Sequence, residues 1–372
     1  MTRIKRATKK FLAMFLTFCL LAGMLPQFVL RTKAAAPSLA YDADSGVYTI
    51  RSAADWQTFV NDLGSGFQYP GKTVVLQNDI NVTSITMPTD YSRKTFSGVF
   101  DGLGHTLTIK EDNESIFPII YQTASVKNLN VVADITLNTS RSALIEWTYG
   151  ILTPECDGPL IANVSVTGKL SVNMDNLDEN TYKFSGMAGK LHGTYKAATA
   201  VKNCYVGVAF EMTGSKDDYL ADNAKNVNFY GFDVQSSYAP SFSNCYFDGN
   251  FDKVWVKNTM GDNAYDACKI TVGTGETGSI FYDSTVAPHV YDTSYSNSSR
   301  SLTITGKSTD DMKKASTYAG WDTSVWNIAD GSYPTLRMPA SDISALQARK
   351  IMGDAFLSAA HSQSTDCRHP PV

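Results

Sequence analysis

Ser125-Val-Lys-Asn128-Leu-Asn-Val131 is the first copy of a seven-residue phrase that recurs three times further along the chain. The later copies are Leu160-Ile-Ala-Asn163-Val-Ser-Val166, Ala200-Val-Lys-Asn203-Cys-Tyr-Val206 and Ser241-Phe-Ser-Asn244-Cys-Tyr-Phe247. The asparagines are 35, 40 and 41 positions apart. Repeats at such intervals are typical of a solenoid, in which each unit buries its apolar face by stacking on the next. Within the phrase apolar residues alternate with a period of two, which predicts an all-β solenoid of short parallel strands.

The repeated asparagine invites a structural explanation. In stacked parallel coils, an inward asparagine at a corner can form hydrogen bonds with its counterparts above and below. Such a ladder satisfies amide groups that would otherwise be buried without partners. We therefore predict a structural rather than a chemical role for the four repeated residues, which are Asn128, Asn163, Asn203 and Asn244.

The first 36 residues are predicted to be a secretory signal peptide. Five basic residues between positions 3 and 10 precede the apolar run 11–25, and Ala34-Ala35-Ala36 offers small residues for cleavage. A membrane anchor is the alternative, but the run contains Thr17 and is short for a span of about 20 residues. We therefore expect a secreted protein, free or associated with the cell surface, with no membrane insertion after cleavage.

The predicted mature chain is acidic. The leader holds seven of the 32 basic residues and none of the 36 acidic ones, so 25 basic residues remain and the net charge becomes −11. Nucleic acids and anionic lipids are bound through clustered Lys and Arg side chains that neutralise phosphates. Nucleic acid is therefore not an expected partner.

Cysteine and histidine usage argues against metal chemistry. The five cysteines beyond the leader are an odd number, which is not typical of a complete disulfide framework; they are Cys156, Cys204, Cys245, Cys268 and Cys367. Two of them directly follow a repeated asparagine and would stack as small buried groups in neighbouring coils, with a disulfide between them left open. The chain has no CxxC, no Cys/His cluster and no HExxH. We predict no metal site, no cofactor and no metalloprotease activity.

Amphipathic segments at both ends are predicted to cap the solenoid. Ser52 can N-cap a helix with one apolar face, made of Trp56, Phe59, Val60 and Leu63. A helix before the first coil would cover unpaired strand edges, so we place an N-terminal cap at residues 41–72 of a β-helix domain spanning 37–338.

The C-terminal cap is predicted at residues 309–338. It contains Trp321 and Trp326, which we interpret as a plug beneath the last coil, with sugar-binding platforms as the alternative. The remaining residues, 339–372, are predicted to form a flexible tail with one weak helix.

Motifs at the two ends of this domain resemble those of bacterial surface proteins of the GLUG-repeat type. Phe96-x-Gly98-x-Phe100-Asp101-Gly102-x-Gly104 is similar to the family's opening coil, and Gly320-Trp321-Asp322 with Tyr333-Pro334-x-Leu336 is similar to its terminal coil. Between them, Gly186-Met-Ala-Gly189 approximates the Gly-apolar-apolar-Gly signature. The resemblance covers about residues 47–337. It implies a right-handed β-helix of the kind found in adhesins and beside the catalytic parts of IgA-specific proteases, with a role in surface interaction and no catalytic residues.

One interruption of the repeat provides a candidate site. Glu146-Trp147-Thr-Tyr149 is followed by Glu155-Cys-Asp157. Three acidic and two aromatic side chains therefore stand where an ordinary corner between coils is expected. The functional interpretation is a sugar-binding or acid/base cluster, and the alternative is a solvated loop with a packed tryptophan. The candidate ligand-binding residues are Glu146, Trp147, Tyr149, Glu155 and Asp157.

The fold alone does not decide the function, because parallel β-helices also host polysaccharide lyases and glycoside hydrolases. We expect a non-catalytic, adhesin-like protein that presents an elongated face to a glycan or to a host or neighbour surface protein. A polysaccharide-active lyase or glycoside hydrolase is the alternative. Carboxylates within catalytic reach in a groove would favour the enzyme, whereas a smooth face of Ser, Thr and Asn would favour binding.

Overall fold

The computed structural model describes residues 38–337 with short gaps, at 84, 111–113, 139–145, 178–180, 194–197, 222–225, 239, 256–267, 272–274, 289, 291–294 and 298–299. The described residues all belong to one compact unit, Ala36–Val372. The predicted signal peptide and the predicted tail at 339–372 lie outside the described residues.

Helical segments are few in the described chain. The α-helices are α1 Ala53–Gly64, α2 Lys216–Ala221 and α3 Thr309–Met312, and single 3₁₀ turns lie at Tyr91–Arg93, Met174–Asn176 and Ala315–Tyr318. None of the helices in the described residues has the length and apolar character needed to cross a bilayer.

The rest of the regular structure is β. The strands are β1 Tyr41–Asp42, β2 Val47–Ile50, β3 Thr73–Leu76, β4 Ile80–Val82, β5 Thr95–Phe96, β6 Val99–Asp101, β7 Thr106–Ile109, β8 Ile119–Ile120, β9 Ser125–Leu137, β10 Glu146–Gly150, β11 Leu160–Asn173, β12 Thr181–Ser185, β13 Ala200–Lys202, β14 Tyr205–Thr213, β15 Asn226–Tyr230, β16 Ser241–Phe247, β17 Asn250–Lys253, β18 Cys268–Lys269, β19 Thr277–Asp283, β20 Tyr295–Asn297, β21 Arg300–Lys307, β22 Trp326–Asn327 and β23 Thr335–Leu336. The predominantly β structure agrees with the sequence-based prediction.

Most neighbouring strands are parallel. In the described chain, the largest sheet has 15 strands, and its parallel path runs β2, β3, β6, β9, β11, β13 with β14, β16, β19 and β21. Antiparallel strands β1 and β20 flank that path. A second sheet holds β10, β12, β15 and β18, also parallel. From β9 to β19 the chain therefore passes alternately from one sheet to the other.

The strand register follows the spacing of the repeated asparagines. Paired residues of β9 and β11 are 35 positions apart, as in Leu160 opposite Ser125. Those of β11 with β13 and β14 are 40 apart, as in Ser165 opposite Tyr205. Those of β13 and β14 with β16 are 41 apart, as in Tyr205 opposite Tyr246. Corresponding residues of the repeated phrase therefore lie opposite each other on adjacent strands.

The repeated asparagines form one column. Asn163 Nδ2 donates to Asn128 Oδ1 over 2.8 Å, Asn203 Nδ2 donates to Asn163 Oδ1 over 3.0 Å, and Asn244 Nδ2 donates to Asn203 Oδ1 over 2.9 Å. The column ends on a carboxylate, because Asn128 Nδ2 donates to Asp101 Oδ1 over 2.9 Å. Asn128, Asn163 and Asn203 thus each donate to one neighbour and accept from the other, and Asn244 donates to Asn203 at the far end of the column.

The backbone explains why the column consists of asparagine. All four residues lie in the left-handed region, with φ between 53° and 55°. Among residues with a side chain, asparagine and aspartate tolerate that region best. Glycine would tolerate it too, but glycine has no amide to join the column. Asparagine therefore satisfies both the local turn and the contact between strands.

The core lies between the two sheets. Inward apolar side chains of the large sheet recur on successive strands, namely Val126, Ile161, Val201 and Phe242. Aromatic rings of the second sheet face the same core, and the rings of Phe184 and Phe229 stack at 5.4 Å. The four described cysteines are free and buried, so Cys204, between β13 and β14, and Cys245, on β16, pack as small apolar groups.

The predicted N-terminal helix is present as α1. The Ser52 side chain accepts a hydrogen bond from the backbone N–H of Asp55 and N-caps it. Trp56 and Phe59 are buried against Phe100 and Phe117, with ring centroids 6.0–6.4 Å apart. The helix therefore joins its apolar face to the core of the first strands.

The C-terminal cap packs differently from the plug that the sequence suggested. Trp326 is fully buried, in a small core separate from the main one. Its ring lies 5.9 Å from Tyr246, and its Nε1 donates to Asn203 Oδ1 over 3.4 Å. Trp321 contacts Tyr246 and Phe281. Trp326 also contacts Tyr205. Tyr205, Tyr246 and Phe281 belong to β14, β16 and β19, so the tryptophans cover the outer side of successive strands rather than the end of the last one.

Candidate binding face

The predicted loop site separates into an inside and an outside part. Trp147 and Tyr149 are buried in the core, and the Trp147 ring lies 5.5 Å from Phe184. Because β-strand side chains alternate between faces, both rings of β10 share the inward side. They do not present a platform to a sugar. The side chain of Glu146 lies outside the described residues.

Glu155 and Asp157 are partly exposed. Burial raises the pKa of Asp157, and the neighbouring Glu155 charge raises it further, whereas His192 acts in the opposite direction. The structure therefore keeps two of the five predicted residues at the surface and places the two aromatic ones inside.

The outer surface of the large sheet at β9, β11 and β14 is the strongest candidate for an interaction site. We call it the binding face and define it as the outward positions of β9, β11 and β14, which are Val132, Asp134, Thr136, Thr167, Lys169, Ser171, Gly207, Ala209 and Glu211. On β9 and β14 these residues alternate with buried apolar ones. On β11 the exposed Gly168 lies between Thr167 and Lys169, and Ser171 is buried. The unbroken register aligns them in rows of three across the strands.

Charges on the binding face are paired with one another. Asp134 lies between two lysines, with Lys110 Nζ at 3.6 Å and Lys169 Nζ at 3.3 Å from its carboxylate oxygens. Glu211 accepts from Lys253 Nζ over 2.5 Å and from Ser171 Oγ over 3.2 Å. The Lys253 contact lowers the pKa of Glu211. Exposed pairs of this kind contribute little stability, but they leave the face close to neutral.

These charged residues are not among those that the sequence predicted for a site. The signal was available, because the 35-residue interval between Asn128 and Asn163 also separates Asp134 from Lys169. Applying that interval to every residue of the strand would have paired the two charges. Among the described residues, no three His, Cys, Asp or Glu side chains form a group that could hold a metal ion.

Two buried aspartates hold protons at unusually high pH. Burial raises the pKa of Asp248 to about 7, with a further contribution from the Asp283 charge. Burial raises the pKa of Asp233 to about 6. Thr271 Oγ1 lies within hydrogen-bond distance of the Asp233 and Glu276 carboxyl groups, at 2.5 and 2.6 Å. The native state therefore carries protons on carboxyl groups that an unfolded chain would release near pH 4.

We expect the protein to lose stability between pH 4 and pH 7. Both folded-state pKa values lie above the ordinary aspartate value, so the native state binds more protons than the unfolded state in this interval and the free energy of unfolding falls as pH rises. Asp248→Asn should raise that free energy by roughly 2 kcal/mol at pH 8 and flatten the profile. Thermal melts from pH 4 to pH 8 measure both effects. Asp252→Asn, at an exposed carboxylate, is the control and should keep the wild-type profile; a stability that rises from pH 5 to pH 8 would contradict the assignment.

Comparison with known proteins gives little further information. No family model matches the chain, and no curated protein matches it. It is similar to a solved structure from Bacteroides ovatus, described as a candidate immunoglobulin A1 protease, with 13% sequence identity and a TM-score of 0.49. That match covers 81% of this chain and 96% of the other. A likeness at this level carries no argument about the function of this chain.

Proposed function

We propose that this chain is an exported right-handed parallel β-helix whose binding face acts as a non-catalytic, adhesin-like interaction surface. Its elongated binding face would contact a glycan or a surface protein of a host or neighbouring cell. The end motifs that resemble GLUG-repeat surface proteins support the same assignment. The leader-like residues 1–36 support export to the outside of the cell, after which the chain would not insert into a membrane.

The path of the chain supports the β-helix. Successive strands enter the large sheet in parallel, leave it for the second sheet, and return one strand further along. A strand followed by a crossover and a parallel strand is nearly always right-handed. The asparagine column requires the coils to lie in register, because each amide contacts the amide one coil away.

The observation that carries the binding role is the chemistry of the binding face. Its described side chains are mostly small and neutral, and its carboxylates, Asp134 and Glu211, are each paired with lysine. A glycoside hydrolase needs two carboxyl groups on either side of a scissile bond, one of them holding a proton. Glu211 has the opposite property, because its pKa is lowered. A face whose carboxylates are held in ion pairs favours binding over the alternative, a polysaccharide lyase or glycoside hydrolase.

A substitution in the middle row of the face tests this role. Ala209→Arg should place a long cation beside Lys169 and reduce retention on the bound glycan or cell surface by about tenfold, the typical cost of disturbing a central contact. Ala54→Arg, on the exposed side of α1, is the matched control and should leave retention unchanged. The measurement is binding to a panel of immobilised glycans and polysaccharides and to intact cells, with soluble products scored in parallel. Shortening of a polymer by the wild-type chain, or equal retention by both variants, would contradict the proposal.

A further inference from the structure

A corner away from the binding face brings three chemically versatile side chains together. Isolated parallel bridges pair Cys156 with Leu191 and Leu191 with Ser236 on successive passages of the chain. The residues that follow these bridges are Asp157, His192 and Ser237. Their backbone N–H groups donate to the preceding passage, His192 N to Cys156 O over 2.9 Å and Ser237 N to Leu191 O over 3.1 Å. Regular backbone pairing therefore places the three residues at neighbouring positions on successive passages of the chain.

His192 and Ser237 are in direct contact. The Nδ1 atom of His192 lies 2.5 Å from Ser237 Oγ, and both residues are partly exposed. A serine hydroxyl that donates to an imidazole nitrogen is the arrangement that activates serine as a nucleophile. On the other side of the histidine in the column is Asp157, whose negative charge interacts with the imidazole. A carboxylate in this place stabilises the imidazolium formed when the serine gives up its proton.

We propose that Asp157, His192 and Ser237 form a hydrolytic site for carboxylic esters. Ser237 is the nucleophile, His192 the general base, and Asp157 a positioning residue that favours the charged imidazole. The proposal goes beyond the binding role and does not depend on it, because the corner and the binding face are different surfaces. Esters are the substrate class that fits, because their alkoxide leaving group departs more easily than an amide nitrogen.

The reaction needs no cofactor. Ser237 Oγ attacks the ester carbonyl carbon while its proton moves to His192 Nδ1, and the carbon–oxygen bond to the alcohol breaks as His192 returns that proton to the leaving oxygen. Water then attacks the acyl-serine, giving one proton to His192. The tetrahedral adduct of water and the acyl-serine then breaks down. His192 returns its proton to Ser237 Oγ, and the carboxylic acid is released. Each step moves one proton to or from His192 Nδ1, and the histidine is neutral again at the end of each half-reaction.

The surroundings of the corner suit an acyl or sugar group. Tyr121 and Tyr238 are among the few large aromatic side chains exposed in the described chain, at 36% and 55%. Tyr238 follows Ser237 directly, and Tyr121 follows Ile120, which is bridged to Cys156. Two accessible aromatic residues thus adjoin the Asp157–His192–Ser237 column, Tyr121 one passage before Asp157 and Tyr238 next to Ser237 in the chain, and offer apolar surface for a substrate.

A serine-directed fluorophosphonate tests the proposal on protein purified from cells that express the full sequence. We expect one covalent adduct, located at Ser237 by peptide mass spectrometry, and hydrolysis of p-nitrophenyl acetate. Ser237→Ala should abolish the adduct, and His192→Gln should slow labelling at least about 100-fold. Asp157→Asn should slow labelling by about tenfold, with partial rescue by Asp157→Glu. Ser243→Ala, at an exposed serine on β16, should label like the wild type.

The outcomes are decisive in either direction. Thermal melts establish that each variant folds, which the partial exposure of all three side chains favours. Absence of an adduct on the folded wild type, an adduct at another serine, or labelling of His192→Gln at the wild-type rate would overturn the proposal. The binding role would be unaffected by these results, since Ala209→Arg tests it on a different surface.

Discussion

Asn203→Ala should destabilise the protein by roughly 3–5 kcal/mol. The side chain donates to Asn163 and accepts from Asn244 and Trp326, and Asn203 is only 4% exposed. Alanine removes these bonds and leaves the buried Trp326 Nε1 and the partly buried Asn163 Oδ1 and Asn244 Nδ2 each short of a partner, and each such group costs about 1–3 kcal/mol when water does not replace the partner. Alanine also occupies the left-handed region less readily than asparagine. Urea unfolding followed by circular dichroism measures the loss.

Two further variants separate the causes of that loss. Asn203→Gly removes the amide but accepts the backbone conformation, so it should recover about 1 kcal/mol relative to the alanine variant. Asn81→Ala, at an exposed asparagine on β4, should change stability by less than about 0.5 kcal/mol. Equal stability of Asn203→Ala and Asn81→Ala would show that the column contributes nothing.

Gly168→Ala should be comparably damaging, by about 3–5 kcal/mol. Gly168 lies on β11 opposite Ala133 with φ at +107°, and an added Cβ would come within 2.0 Å of the Ala133 carbonyl oxygen. That atom belongs to the backbone of a paired strand, so the strands would have to move apart. The measurement is the midpoint and slope of urea unfolding.

A matched glycine isolates the steric part of this effect. Gly66 also has a positive φ, +92°, but a Cβ there would meet nothing within 4 Å. Gly66→Ala should therefore cost only about 1 kcal/mol, the cost of the backbone conformation alone. Equal stability of Gly168→Ala and Gly66→Ala would contradict the close approach of the β9 and β11 backbones at Gly168.

The repeated phrase was sufficient to predict the strands and their spacing. Its period of two and the intervals between asparagines reappear as strand pairing and strand register. The helix α1 was also predictable, because Ser52 and the apolar face formed by Trp56, Phe59 and Val60 are local features. The left-handed conformation of Asn128 and its counterparts was missed, although asparagine's preference for that region was a usable signal.

The C-terminal cap shows where sequence reasoning stopped. Trp321 and Trp326 are recognisable as packing residues, but the sequence does not say which surface they cover. Tyr205 and Tyr246 follow the inward Cys204 and Cys245, so their rings occupy outward positions where other copies of the phrase have Asn130 or Ser165. Outward aromatic rings need a cover, and this was the available sign that the cap folds back along the sheet.

The corner residues were harder to foresee. Asp157 was a candidate on its own, but His192 and Ser237 follow it at intervals of 35 and 45 residues, whereas the nearest asparagines are spaced by 40 and 41. Segments of different length between the sheet and the corner disturb the fixed interval. The pairing of these side chains therefore depends on the backbone path through the corner, which a repeat in sequence does not specify.

The central claim is that successive coils stack in register through the asparagine column. It is tested most directly by nuclear Overhauser contacts between side-chain amide protons in a deuterated, amide-protonated sample. Strands in a sheet are about 4.8 Å apart, so contacts should join Asn128 with Asn163, Asn163 with Asn203, and Asn203 with Asn244, and none should join Asn128 with Asn203. Absence of the three neighbour contacts, or contacts that skip a coil, would contradict the account.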